Sequence, residues 1–218
     1  MIIGLRAGHS PNCLGAEGII SEYYSCYSIY CYLKILLEKQ GHIVVDCNSC
    51  ASTESKELNE GTNKANSYDV DLFISLHMNA FGNSQAHGSE VYMYPTDGNT
   101  SENNKSKERI FADRILENLH DKGFTNRGVK FNKNFHDLSM TVMQAMIVEI
   151  CFVTSPDDVN IYKRLGAEKI AKVIAKAFGD VDENPVDVGG WRMLEDGLHY
   201  YDSANKEIIH IPDKDVKL

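Results

Sequence analysis

Leu72-Phe73-Ile74-Ser75-Leu76 and Ala145-Met146-Ile147-Val148-Glu149-Ile150-Cys151-Phe152-Val153 are the two apolar runs on which the fold turns. Both are too short for a core helix and too continuous for a half-exposed strand. They read as buried strands of a sheet covered on both faces. Met1 to Ala7 is a third apolar segment, running into a loop at Gly8-His9, and His42 to Asp46 is a short β-branched one read as a further buried strand. Helical periodicity lies between these runs. Ser21 to Gln40 has Ser21 to cap its start, with Tyr24, Ser28, Tyr32 and Ile35-Leu36 at helical spacing, and Gly41 to close it. Strands that alternate with helices predict an α/β architecture of three layers. Its central, mostly parallel sheet has about five to six strands, with helices on both faces.

The remaining segments fit this frame. Thr53 to Tyr68 is polar with weak helical character. In His87 to Tyr94, Ser89, Val91 and Met93 alternate with Glu90, Tyr92 and Tyr94, predicting a strand with one exposed face. Asp97 to Lys107 reads as a surface loop. Glu108 to His120 is an amphipathic helix through Phe111, Ile115 and Leu119, ended by Gly123. Asn126 to Met140 reads as irregular. Ser155 to Gly179 is helical behind a Ser-Pro-Asp-Asp start signal. A domain is expected over 1–180, a linker over 181–190 and a short β-rich tail over 191–218. The tail's Asp196-Gly197 and Ser203–Lys206 turn signals predict a three-stranded meander carrying Trp191, Tyr200 and Tyr201.

The 218 residues allow one domain of about 150 residues plus a remainder. Lys and Arg number 22 against 31 Asp and Glu, a net charge of −9. An acidic chain repels phosphate backbones and anionic lipid, which disfavours nucleic acid as a partner. No apolar run reaches the ~18–20 residues of a membrane span, so no membrane insertion is expected. The start lacks a basic n-region and is broken by Arg6 and His9, so synthesis in the cytoplasm without a signal peptide is expected. Cys47-Asn48-Ser49-Cys50 has redox or half-zinc spacing, but no second Cys-x-x-Cys completes a site, and two loop thiols are expected.

In open α/β sheets, ligands bind outside the carboxyl ends of the strands. His9 follows the first strand, His77 directly follows the run Leu72–Leu76, and Glu149 lies inside the run 145–153. A carboxylate in an apolar strand must be paired, neutralised or turned to solvent at a sheet edge. Two histidines and a carboxylate supply the three protein ligands of a catalytic zinc, with the fourth position left for water. Glu22, one residue into the first helix, is a candidate for the third ligand. It also reads as an ordinary acid at a helix N-terminus, and spacing does not decide between the two. Asn79 either contacts substrate or orients a ligand. His87 and His136 are candidate substrate-binding residues in loops near the same face.

Seven segments in this order resemble zinc-dependent N-acetylmuramoyl-L-alanine amidases of the Amidase_3 type, found in autolysins, spore-cortex hydrolases and phage endolysins. They are Gly8-His9-Ser10, Gly18–Glu22, Ala65-Asn66, Asp71–Ala80, Gly88-Ser89-Glu90-Val91, Asn126–Lys130 and Ala145–Glu149. The resemblance covers roughly residues 1 to 180. It implies one zinc ion held by His9, Glu22 and His77, with Glu149 as catalytic acid-base. It also implies peptidoglycan as substrate, cut at the amide between N-acetylmuramic acid and L-alanine by an enzyme acting on the cell wall after release, as a phage endolysin does. The alternatives are a zinc carboxypeptidase or endopeptidase, or a non-catalytic wall-binding protein. The chain departs from the family pattern at Gly8–Gly15, at Val45–Cys50 and at Gln144, none of which removes a ligand. For the tail, wall affinity or self-association is expected.

Overall fold

The computed structural model describes residues 1–95 and 108–188, together with the backbone of 107, 190–194, 197–201 and 207–212. Six strands form one sheet: β1 (Ile2–Ala7), β2 (Ile43–Asp46), β3 (Leu72–Asn79), β4 (Ser89–Met93), β5 (Asn126–Phe131) and β6 (Gln144–Phe152). Their spatial order is β2-β1-β3-β6-β4-β5. All neighbours pair in parallel except β4 with β6, so β2, β1, β3 and β6 run one way and β4 and β5 the other. The three-layer α/β architecture read from the sequence is the one observed.

Strand alternation divides the core in two. Ile3, Leu5, Leu72, Ile74, Leu76, Met146, Val148 and Ile150 project to the face covered by α1 (Glu22–Lys39), α3 (Lys107–His120) and α5 (Pro156–Ala175). Phe73, Ala145 and Ile147 project to the other face, against α2 (Glu54–Ser67) and α4 (His136–Ser139). The second cluster is smaller because polar side chains occupy that face near the strand ends. The same face carries Arg6, Ser75, His77, Glu90 and Glu149, so the minor face is where the chemistry lies.

Several local expectations are corrected. Ser21 sits at the N-cap of α1 but does not cap it; its hydroxyl donates to Glu17 Oε1 at 2.7 Å. The buried stripe of α1 is Tyr23, Cys26, Ile29, Tyr30, Leu33, Leu36 and Leu37, so Leu36 is buried as read, while Tyr24, Ser28, Tyr32 and Ile35 are half-buried. Both flanks of this helix are apolar, so periodicity alone places the stripe one residue off. The β2 strand is not buried but lies at the sheet edge, with Ile43 63% exposed. The β3 strand continues past Leu76, so His77 lies within it. Asn126–Met140 is not irregular: it holds β5 and the single turn α4, and Gly128 (φ +81°) disguises the strand. The polar side of β4 is not open to solvent, since Glu90 is buried under cations from β5.

Ser155 does cap α5, accepting from the Asp158 amide at 3.3 Å, with Pro156 in the first turn. All six cysteines are free; Cys47 is buried and Cys50 exposed. Asp97–Ser106 of the expected surface loop lie outside the described residues. In the tail, β7 (Gly190–Leu194), β8 (Gly197–Tyr201) and β9 (Glu207–Pro212) form an antiparallel three-stranded sheet, as the turn signals predict. Asp196 and Ser203–Lys206, which carry those signals, lie outside the described residues, as do the side chains of Trp191, Tyr200 and Tyr201. Residues 180–188 run along the domain. Val186 is buried, Lys172 Nζ donates to the carbonyls of Glu183 and Asn184 at 2.8 Å, and Gln40 Nε2 donates to that of Asp180.

Candidate metal centre

His9, Glu22 and His77 come from three separate segments and meet at the carboxyl end of β1 and β3. His9 leaves β1 with φ +72°, a left-handed conformation that a non-glycine residue adopts only when its surroundings impose it. The loop from His9 folds back so that the Glu22 amide donates to the Ala16 carbonyl at 3.0 Å and the Tyr23 amide to that of Leu14 at 3.2 Å. Glu22 is thereby delivered to the centre at the first position of α1. Its Oε2 accepts from the Ala16 amide at 2.7 Å and its Oε1 from the Met78 amide at 3.0 Å.

The two histidines flank this carboxylate. His9 Nε2 is 3.1 Å from Glu22 Oε2, and His77 Nδ1 is 2.9 Å from Glu22 Oε1. One donor atom from each residue lies within 4.8 Å of the others. Ser75, two residues back on the same face of β3, contacts His77 Nε2 at 3.0 Å and so fixes which nitrogen faces the centre. Glycine makes room for the group. A Cβ on Gly8 would come within 2.3 Å of the His77 ring, and one on Gly15 (φ +74°) within 2.3 Å of His9 and 2.5 Å of Glu22.

Burial opposes charge here, but pairing outweighs it. Despite burial, the hydrogen bonds and charges of His77 and His9 hold the Glu22 carboxyl well below the usual carboxylate range. Burial works against a charged His77, yet Glu22, aided by Glu149 and Asp137, pushes it up to about 9. Two imidazoles and an ionised carboxylate converging on one point are the donor set of a divalent cation with nitrogen preference, and they fit zinc.

Glu149 stands beside this cluster. In the parallel β3–β6 ladder it is the partner of His77, and in the antiparallel β4–β6 ladder the partner of Glu90, so all three point to one face. Being on a central strand, it is not an edge residue turned to solvent. Burial pushes its carboxyl up to about 7, with Glu22 and Glu90 adding to the effect. Its buried Oε2 has no hydrogen-bond partner among the described residues.

The other candidates fall around the rim. Asn79 Nδ2 donates to Glu90 Oε1 at 2.9 Å. His87 is exposed, with Nδ1 2.9 Å from the Gln85 carbonyl. His136 opens α4 and contacts Asn59 through Nε2 at 3.1 Å. No hydrogen bond or ion pair among the described residues joins either histidine to the cluster.

Glu90 escaped the sequence reading as a site residue. It is 1% exposed and accepts from Asn79, Tyr92, Arg127 (2.6 Å) and Lys130. Against its burial, the hydrogen bonds from Arg127, Lys130 and Tyr92 hold its carboxyl below the ordinary value. The available signal was an acid within the alternating segment His87–Tyr94.

The family model described as N-acetylmuramoyl-L-alanine amidase, Amidase_3, matches residues 3–180. A protein of Clostridium perfringens strain 13 is 34% identical over 189 residues, covering 84% of this chain and 54% of its own length. The N-acetylmuramoyl-L-alanine amidase CwlM of Bacillus licheniformis is 31% identical over 180 residues, covering 82% of this chain and 66% of its own. Among solved structures, the catalytic domain of the CD27L endolysin targeting Clostridia difficile superposes with a TM-score of 0.73 at 30% identity. That match covers 84% of this chain and 99% of the endolysin domain. The chain spans about half the length of the first two curated relatives it matches.

Proposed function

The chain belongs to the N-acetylmuramoyl-L-alanine amidase family, and on that premise we propose that it hydrolyses the amide joining N-acetylmuramic acid to L-alanine in peptidoglycan. The observation that carries the proposal is the His9–Glu22–His77 cluster with the partnerless Glu149 Oε2 beside it. Its role is that of a cell-wall lytic enzyme, as in endolysins and autolysins. None of the described helices is long and apolar enough to cross a membrane.

His9, His77 and the Glu22 carboxylate would hold one zinc ion. Bound there, zinc supplies a water that ionises near pH 7 and a Lewis acid for the scissile carbonyl. Glu149 Oε2 takes the proton of the attacking water and returns it to the departing nitrogen of L-alanine. A carboxyl held near neutrality by burial suits both halves of that task. Glu90, locked by Asn79, Tyr92, Arg127 and Lys130, keeps the wall beside Glu149 rigid.

Glu149 must be ionised to act as base. With soluble muropeptide, kcat/KM is therefore expected to rise with pH through the Glu149 titration and then level off. The inflection lies at or below about 7, because a bound cation only lowers the value set by burial. The reading as a whole is tested by metal content together with the masses of fragments released from purified wall. Intact stem peptides with a free N-terminal L-alanine and a free lactyl carboxylate are expected. Cleavage within the stem instead identifies a peptidase, and no cleavage a wall-binding protein.

The three-stranded tail adds wall affinity or self-association and takes no part in the chemistry. A chain ending after Val188 is expected to cleave soluble muropeptide at the full rate and to pellet less with whole walls. Ending it after Asp180 strips away Val186 and two acceptors of Lys172. That cut is expected to lower the thermal midpoint by roughly 5 °C relative to the longer truncation.

A further inference from the structure

Beneath the cluster, on the same face of the sheet, lies a buried ionic group that the proposed hydrolysis does not use. Arg6 of β1 and Glu57 of α2 are fully buried, and Asp137 of α4 is 2% exposed. Arg6 Nη2 donates to Glu57 Oε2 and to the His9 carbonyl, the latter at 3.3 Å. Arg6 Nη1 lies 3.4 Å from Asp137 Oδ1, and Nε donates to the Ala7 carbonyl at 3.3 Å. The site is shaped for this guanidinium: a Cβ on Gly61 of α2 would come within 2.8 Å of Nη1. Apolar packing of equal volume commonly stabilises a fold as well as a buried ion pair does, so stability alone does not account for the cluster.

Three buried atoms here are left over: Asp137 Oδ2, and a pair that lie near each other. His9 Nδ1 and Glu57 Oε1 are both buried and lack a hydrogen-bond partner among the described residues, and they stand 4.0 Å apart. His9 has turned its other nitrogen to Glu22. His77 is arranged in the same way, one nitrogen to Glu22 and the other to Ser75.

Resting on the reading of His9, Glu22 and His77 as a zinc centre, we propose that Glu57 is the positioning residue of His9. When Nε2 binds the metal, Nδ1 carries the ring proton, and Glu57 Oε1 accepts it. An approach of about 1 Å brings the pair to hydrogen-bond distance. Such a bond fixes the tautomer and ring orientation and strengthens the donor nitrogen. Arg6 serves both ends, since it holds the Glu57 carboxylate and also the main chain of His9 where φ is +72°. Asp137 steadies the guanidinium from the far side. The specificity of the device lies in the acceptor. In Glu57→Gln, Arg6 draws the amide oxygen to itself, the amide NH₂ then faces Nδ1, and the ring is driven to the tautomer protonated at Nε2.

Zinc titration with a competing chelator, on the full chain, tests this. Glu57→Gln is expected to weaken zinc binding about 10- to 100-fold and also to lower the metal-free thermal midpoint, because the buried Arg6 loses a charged partner. Glu60→Gln, on the same helix α2 but bonded to Ser49 and outside the cluster, is expected to bind within about twofold of wild type. Equal weakening by both variants, or an unchanged zinc affinity in Glu57→Gln, overturns the proposal. Nitrogen NMR of histidine-labelled wild type loaded with zinc decides the matter even if Glu57→Gln does not fold. His9 bound through Nε2, with a slowly exchanging Nδ1 proton, supports it; binding through Nδ1 overturns it. A wild type that takes up no zinc overturns the metal centre and this inference together, whereas zinc uptake indifferent to Glu57 overturns only the latter.

Discussion

Glu149→Gln is expected to lower turnover by about 10²- to 10⁴-fold while zinc content and fold stay as in wild type. The amide matches the carboxylate in shape but cannot accept a proton from water. Because Glu149 Oε2 has no partner to lose, the change breaks no contact on that side. The stability consequence has a definite sign. Burial raises this carboxyl to about 7 in the folded chain. The wild-type group therefore contributes nothing unfavourable below its unfolded value, and costs stability as pH rises through about 7. At pH 8 the metal-free glutamine variant is expected to be more stable than wild type, by about 1–3 kcal/mol. Calorimetry and a rate assay on soluble muropeptide check the two halves. A variant that keeps more than about a third of the wild-type rate would assign Glu149 a structural role only.

His77→Ala is expected to lose metal and activity together, with the rate falling at least ~10³-fold, the scale of an enzyme stripped of its metal-activated nucleophile. One ring of the cluster disappears, and the remaining His9 and Glu22 cannot close a three-donor site. In the metal-free protein His77 is held charged, up to about 9, by Glu22. Its stabilising contribution is therefore fully present below the unfolded value near 6.5 and is lost as pH rises through about 9. The deficit of the alanine variant should accordingly be largest at acid and neutral pH and shrink above pH 9. Metal analysis and thermal unfolding across that range read both effects. Stoichiometric zinc in the variant would remove His77 from the centre.

Much of this was legible without coordinates because its causes are local. Apolar runs of five to nine residues give β1, β3 and β6, while side-chain spacing gives α1 and α3 and a start signal gives α5, though not the exact buried face of α1. His9 and His77 were legible for the same reason, as polar residues at the ends of such runs. The β5 strand and α4 were not, because glycine and asparagine within Asn126–Asn134 mask a strand that exists by pairing with β4.

The roles of the carboxylates belong to the tertiary structure. Glu22 and Glu149 are alternatives on paper. The loop that returns Ala16 to Glu22 sets one between two imidazoles, and the β3–β6 register sets the other beside them without a partner. Arg6 was visible only as a charge interrupting an apolar strand. Its partners, Glu57 and Asp137, lie 51 and 131 residues away along the chain. No local pattern reports such a pairing, because a buried charge constrains what must surround it in space and says nothing of where in the sequence the compensation is found.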